Sequence, residues 1–220
     1  MQIFDNKQVN RQWRNNLFLF ICILVLFIIG PFLGLVEKVP FLSAFFFTIL
    51  VLSSVFVIDY LPIFRKILFS LSTLIIVIIW LEFFIPNQYL QIIAFLLLSF
   101  FLFATTVLLI VHVAASSDVN ANIIFSAING YLLIGIIGGI SLLIIGEITQ
   151  VPVLSNVEAD TLADYIYFSF VTLTTLGYGD LTPIAAGGKV IAMLLATFGQ
   201  LYVAILIAML VGKFINRSNQ

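Results

Sequence analysis

Charged residues, cysteine and histidine are all scarce in this chain of 220 residues. Only 9% of the residues are charged, whereas 63% are hydrophobic and the mean hydropathy is +1.25. A soluble domain carries about 25% charged residues, so this chain lacks the polar surface that a water-soluble fold needs. The composition excludes a typical cytosolic enzyme, a nucleic-acid-binding protein with a basic face and a disordered linker. It predicts an integral membrane protein.

The single cysteine and the single histidine exclude further kinds of site. A single cysteine forms neither an intrachain disulfide nor a cysteine-based metal site. Because Cys22 lies inside an apolar run, it is interpreted as a packing residue. With one histidine, no multi-histidine metal site is possible. His112 stands at the inner end of a predicted span, either as an interfacial residue or as a pH-sensitive group.

Six apolar runs are long enough, at about 20 residues each, to cross a bilayer as helices. They are predicted at 17–36, 41–58, 67–85, 90–114, 123–146 and 188–214. We therefore expect an all-α membrane protein, with a four-helix region at 17–114 and a second region at 122–214. The segment 147–187 is too polar and too rich in glycine and proline to be a seventh span.

Basic residues predict the orientation of these spans. Seven of them fall on the side that holds both termini: Lys7, Arg11, Arg14, Arg65, Lys66, Lys213 and Arg217. The other side holds Lys38 and Lys189. The positive-inside rule then places residues 1–16 and the short tail 215–220 in the cytoplasm. The opposite face carries most of the acidic residues, which would concentrate cations there.

The segment between the fifth and sixth spans predicts a re-entrant loop. Thr161 and Asp164 have capping-box spacing, so a short apolar helix is expected over about 162–174. This helix is too short to cross the bilayer. Non-helical backbone at membrane depth is tolerated only where it is buried in protein or lines a water-filled path.

The residues that follow this helix are suited to binding a dehydrated cation. They are Thr175, Leu176, Gly177, Tyr178 and Gly179. Two glycines at alternate positions permit backbone conformations that other residues avoid, so successive carbonyls can face one axis. Rings of carbonyls replace the water shell of the ion, with the threonine hydroxyl as the innermost ring. One chain supplies one side of such rings, so we expect a homotetramer.

The string TLGYGD at 175–180 resembles the potassium-channel pore signature, with Leu176 where valine is usual. The resemblance covers 122–214 as outer helix, pore helix, selectivity filter and inner helix. It implies that the backbone carbonyls of residues 175–178 bind K⁺ and that Gly179 shapes the outer mouth. K⁺ is then a permeant ion, no cofactor is implied, and the protein is not expected to be an enzyme.

The resemblance also implies supporting roles, for Thr174, Asp180, Tyr167, Phe168 and Val171. Tyr167 and Phe168 match aromatic positions that brace the ring of Tyr178. Val171 matches a position that is glutamate in some channels, where it pairs with the residue matching Asp180. That pair is expected to be absent here, which leaves the stiffness of the filter open.

Three features of the sequence bear on gating. Gly199 lies where family members often carry a hinge glycine, and it is interpreted either as a gating hinge or as a close-packing residue, like Gly135 and Gly139. No lysine or arginine occurs between positions 67 and 188, so the fourth span has no gating charges. Six residues follow the last span, so we expect no cytosolic ligand-binding domain on this chain.

Together these features are similar to a small bacterial six-helix ion channel that lacks a voltage sensor. The expected function is K⁺-selective passive conduction in the bacterial inner (plasma) membrane. The expected partners are K⁺, lipid and identical subunits, and no nucleic acid. Two alternatives stay open, a weakly selective cation channel and a pore-forming subunit of a potassium transporter.

Overall fold

The computed structural model describes residues 6–33, 40–58, 62–116, 119–156 and 161–218. Within these ranges the helices, in chain order, are α1 (Asn6–Leu33), α2 (Pro40–Val57), α3 (Pro62–Phe84), α4 (Gln88–Ala115), α5 (Ala121–Thr149), α6 (Leu162–Leu173) and α7 (Ala186–Ser218). The described residues contain no strand, only the isolated β-bridge between Leu154 and Pro183. The prediction of an all-α fold is confirmed.

Five helical segments are long and apolar enough to cross a bilayer: Arg11–Ile28, Ile63–Phe84, Gln88–Ala115, Ala121–Thr149 and Ala186–Ile215. The second predicted span, 41–58, is present as the shorter apolar helix Phe41–Val57. Residues 34–39, which include Lys38, and residues 157–160 of the segment 147–187 lie outside the described residues. The helices thus follow the predicted apolar runs, although α2 is shorter than the other candidate spans.

The helix α5 lies at the centre of the arrangement. It packs against α1, α4, α6 and α7, while α2 packs on α1 and α4, and α3 packs on α2 and α4. The largest apolar core joins α1 to α5 through buried residues such as Leu19, Val51, Ile75, Leu98 and Leu133. A smaller core surrounds α6 and fixes it against the second half of α5.

Four buried carboxamide side chains join α1 to α5, and we call Gln12, Asn16, Asn122 and Asn129 the amide cluster. Asn16 Nδ2 donates to Asn122 Oδ1 at 2.7 Å, and Asn129 Nδ2 donates to the Asn16 carbonyl at 2.9 Å. Asn122 Nδ2 lies 3.4 Å from Gln12 Oε1 and 3.5 Å from Nε2 of His112 on α4. Residues 6–16, predicted as part of a cytoplasmic segment, are therefore helical, and two of them are buried against α5.

The last part of α7 is joined to the end of α4. Lys213 Nζ donates to the carbonyl oxygens of Val113 at 2.6 Å and Ala114 at 3.1 Å. Both carbonyls belong to the last turn of α4, where a cation also interacts favourably with the helix dipole. This contact connects the two helices beyond the apolar packing of α7 on α5.

Candidate ion-conduction site

The short helix α6 begins at Leu162, where the sequence predicts it, and ends at Leu173. Thr161 Oγ1 accepts from the amide of Asp164 at 3.1 Å, and Asp164 Oδ2 accepts from the amide of Thr161 at 3.3 Å. The predicted capping box is confirmed. The 12 residues of α6 rise about 18 Å, well below the ~30 Å of a bilayer's hydrocarbon core.

Glycines of α5 allow α6 to pack against its backbone. A Cβ atom at Gly139 would lie 2.9 Å from Cα of Ile166, and one at Gly135 would collide with the ring of Phe170. Ser169 Oγ also donates to the Gly135 carbonyl at 2.6 Å. The interpretation of Gly135 and Gly139 as close-packing residues is confirmed, and this packing fixes where α6 ends.

The loop 174–180 folds back on the last turn of α6. The amides of Leu176 and Gly177 donate to the Val171 carbonyl at 3.0 and 3.2 Å. Gly177 has φ +55° and Gly179 has φ +79°, both in the left-handed region that favours glycine. The glycines are therefore required by this backbone path, and Val171 supports the loop through its carbonyl.

Thr175 also adopts a left-handed conformation, at φ +61°. For a β-branched residue such a conformation costs about 1–3 kcal/mol and persists only where the surroundings fix it. Its amide donates to the Thr172 carbonyl at 3.0 Å, and its hydroxyl donates to the Thr174 carbonyl at 2.6 Å. Thr174 in turn donates its hydroxyl to the Phe170 carbonyl at 2.7 Å, which closes the end of α6.

Asp180 has a side-chain partner that the sequence did not predict. Tyr167 Oη donates to Asp180 Oδ2 at 2.6 Å. This hydrogen bond is the main cause that lowers the pKa of Asp180 and raises the pKa of Tyr167 to about 12. Asn156 Nδ2 donates to the Asp180 carbonyl at 3.0 Å. The valine at position 171 therefore does not leave Asp180 without a partner.

The ring of Tyr178 is not braced by α6 within one chain. Tyr178 is 67% exposed and Leu176 is 54% exposed. Tyr167 directs its hydroxyl to Asp180, and Phe168 is buried in the core that includes Leu142. The predicted bracing of Tyr178 by Tyr167 and Phe168 is therefore not formed by residues of the described chain alone.

The helix α7 packs closely against the end of α6. The Leu173 carbonyl occupies the space that a side chain at Gly199 would need, and it accepts a hydrogen bond from Tyr131 Oη at 3.2 Å. Gly199 is thus a close-packing residue, and its role as a hinge stays a prediction. Next to it, Gln200 Nε2 donates to Thr175 Oγ1 at 3.1 Å. No local sequence pattern indicates this contact, because it joins distant positions.

Comparisons with known proteins agree with this geometry. A family model described as "Ion channel" matches residues 130–216, from within α5 to nearly the end of α7. The chain is 39% identical over 54 residues to potassium voltage-gated channel subfamily A member 5 of Homo sapiens and of Oryctolagus cuniculus. The match covers 24% of this chain and 9% of each relative.

Subfamily A member 4 of Homo sapiens is also 39% identical over 54 residues, which is 8% of its length. The chain thus matches less than a tenth of the length of these relatives. No solved structure matches the chain significantly. The matched region contains the short helix, the glycine-bearing loop and the helix that follows. Residues 130–216 are therefore similar to an ion-channel family, and part of the chain is similar to potassium channels.

Proposed function

We propose that four copies of this chain form a potassium-selective channel that conducts K⁺ passively through stacked rings of backbone carbonyl oxygens. The observation that carries the proposal is the loop 175–179. Two glycines there take positive φ directly after a helix too short to cross the bilayer. The proposed ligands are the carbonyls of Thr175, Leu176, Gly177 and Tyr178, which replace the water shell of the ion. Such conduction involves no chemical turnover.

The exposed side of the pore domain supports a homotetramer. Only 11% of the Ala186–Ile215 span is buried, and Tyr178 and Leu176 of the loop are exposed. Large exposed apolar surfaces mark interaction sites. In a fourfold assembly, identical neighbours cover this side of each chain and complete the ring around the ion.

We propose that six helices cross the membrane, with α6 and its loop entering between α5 and α7 without crossing. In this layout Arg11, Arg14, Arg65, Lys66 and Lys213 lie on the side of the termini, which supports a cytoplasmic location for both. The proposed location is the bacterial inner membrane, where lipid surrounds α2 and α3.

Voltage sensing by moving basic charge is not part of the proposal. The helix α4 contains neither lysine nor arginine. Because one charge that crosses 100 mV contributes only about 2.3 kcal/mol, a steep sensor needs several charges on such a helix. The relatives are named voltage-gated, but their similarity extends over only 24% of this chain.

Ion flux in liposomes tests the proposal and its two alternatives. The purified chain is reconstituted, and K⁺ and Na⁺ flux are compared for the unchanged chain, Gly177→Ala and Gly212→Ala. A side chain at Gly177 opposes the left-handed conformation at a cost of about 1–2 kcal/mol in every subunit. A Cβ at Gly212 meets no atom within 4 Å, which makes it the matched control.

We expect flux that strongly favours K⁺, lost in Gly177→Ala and retained in Gly212→Ala. Equal K⁺ and Na⁺ flux would instead favour a weakly selective cation channel. K⁺ flux that requires a second, coupled ion would favour a subunit of a transporter.

A further inference from the structure

Gln200 of α7 contacts Thr175, the innermost residue of the proposed filter. We propose that Gln200 is a positioning residue, which orients the Thr175 hydroxyl so that one of its lone pairs faces the permeant cation. The inference rests on the proposed function and specifies how its innermost ring is built. The observation is the hydrogen bond from Gln200 Nε2 to Thr175 Oγ1, at 3.1 Å.

The packing of α7 explains why Gln200 reaches the loop. Gly199 has no side chain, so the backbone of α7 lies directly against the Leu173 carbonyl at the end of α6. Tyr131 donates to that same carbonyl from α5, at 3.2 Å. Three helices therefore meet at Leu173, and Gln200, the residue after Gly199, faces Thr175, the first residue of the proposed filter.

The hydrogen-bonding capacity of a hydroxyl leaves one position for the ion. A threonine hydroxyl has one proton and two lone pairs. The proton of Thr175 is donated to the Thr174 carbonyl at 2.6 Å, and one lone pair accepts from Gln200. Both bonds fix the rotation of the hydroxyl, so its second lone pair has a defined direction and is available to a cation.

The backbone of Thr175 gives a second reason for the contact. Its φ of +61° is unfavourable for a β-branched residue, and such residues persist where neighbouring groups hold them. The Gln200 bond is the tie that reaches Thr175 from another helix, while the bonds to Thr172 and Thr174 are local. Gln200 thus helps to maintain the unfavourable backbone conformation of Thr175.

The sequence around Gln200 also favours a specific role. Along α7, between Lys189 and Lys213, the side chains are apolar except for Thr197, Gln200 and Tyr202. A carboxamide in the middle of a membrane-spanning helix is costly unless it has a hydrogen-bond partner. The partner of the Gln200 carboxamide is the Thr175 hydroxyl, next to the proposed conduction path, so the carboxamide lies close enough to influence a bound ion.

The test is block by Ba²⁺ applied from the cytoplasmic side of reconstituted channels. Ba²⁺ has nearly the radius of K⁺ but a double charge, so its affinity reports on oxygen ligands at the inner end of the filter. Gln200→Met removes the donor and keeps the length of the side chain. Thr175→Val removes the hydroxyl and keeps the branching, and the double variant completes the cycle. Leu201→Met, on the neighbouring residue, is the matched control.

We expect Gln200→Met, which removes the bond in all four subunits, to weaken Ba²⁺ block by about three- to tenfold, a combined effect of the size of one net hydrogen bond. Leu201→Met should leave the block unchanged. In the Thr175→Val background, Gln200→Met should have no further effect, because the group through which it acts is gone. A purely structural role would change assembly without this dependence on the hydroxyl.

Three outcomes would overturn the inference. The first is an unchanged block in Gln200→Met, and the second is the same weakening with and without the hydroxyl. The third is failure of both Gln200→Met and Gln200→Ala to assemble, which would make Gln200 an assembly residue. If instead the unchanged chain shows no K⁺-selective conduction, the proposed function itself is wrong, so the two failures are distinguishable.

Discussion

The helices α5 and α7 are similar in length and apolar character, yet they are buried to very different extents. α5 has 29 residues and α7 has 33, but 50% of the α5 span is buried against 11% of the α7 span. α5 packs against four helices of its own chain, whereas α7 packs mainly against two, α5 and α6. Hydropathy therefore indicates that a helix lies in the membrane, without indicating whether protein or lipid covers it.

The difference lies in how each helix is fixed. α5 presents glycines to α6 and carboxamides to α1, so close packing and hydrogen bonds hold it along its length. α7 is held at a few points, which include Gly199 against Leu173 and Tyr202, whose hydroxyl donates to the Ala127 carbonyl at 2.6 Å. The proposed neighbouring subunits would supply the remaining contacts of α7.

The largest effect is expected at the point where α7 is fixed to α6. Gly199→Ala places a Cβ against the Leu173 carbonyl, a backbone atom that cannot rotate away. We expect a loss of about 1–3 kcal/mol per subunit through overpacking, measured as a lower thermal midpoint in detergent.

Gly212 provides a control on the same helix. Its Cβ position is open, so Gly212→Ala should keep or raise stability, by up to about 1 kcal/mol from helix propensity. Equal midpoints for Gly199→Ala and the unchanged chain would show that α7 does not depend on this contact.

A smaller effect is expected where α5 is fixed to α1. Asn16→Ala removes the donor to Asn122 Oδ1 and one acceptor of Asn129 Nδ2. Asn122 and Asn129 are buried, so each loses a hydrogen bond in a site away from water. We expect a loss of about 1–2 kcal/mol, because hydrogen bonds between membrane helices contribute about 1 kcal/mol each. The measurement is again the thermal midpoint.

Asn15→Ala is the matched control for the amide cluster. Asn15 Nδ2 donates to the Phe56 carbonyl at 2.7 Å, but this contact is exposed. Its removal should therefore cost less than that of Asn16. An equal or larger cost for Asn15→Ala would contradict the importance of burial at the α1–α5 contact.

The smallest effect is expected on the exposed side, at Tyr167 and Asp180. The hydrogen bond from Tyr167 lowers the pKa of Asp180. The bond therefore stabilises the folded protein fully above the ordinary pKa of aspartate, and this stabilisation is lost as the pH falls through the lowered pKa of Asp180. The pKa of about 12 keeps Tyr167 protonated, and thus a donor, throughout the neutral range. Tyr167→Phe should raise the pKa of Asp180 in an NMR titration, whereas Tyr89→Phe, at a tyrosine that is 77% exposed, should not.

Local patterns predicted much of this structure. The capping box at Thr161 places the start of α6 correctly, and the alternate glycines predict the positive φ angles of Gly177 and Gly179, because each signal lies within a few residues. The six apolar runs also correspond to six long helices, although α2 is shorter than the other five.

Contacts between distant positions could not be predicted in the same way. Gln12 and Asn16 look like residues of a solvated segment until α5 brings Asn122 and Asn129 beside them. The partner of Asp180 was missed because Tyr167 is a different position from Val171, where some channels carry glutamate, and only the fold brings the hydroxyl of Tyr167 to Asp180.

The contact of Lys213 with the end of α4 has a mechanical consequence. Two hydrogen bonds from one ammonium tie the last turn of α4 to the last turns of α7. Charged donors form bonds of about 1.5–3 kcal/mol each, so a displacement of α7 at this end either breaks both or draws α4 with it. A displacement of α7 at this end would therefore be transmitted to α4, and through α4 to the helices that pack against it.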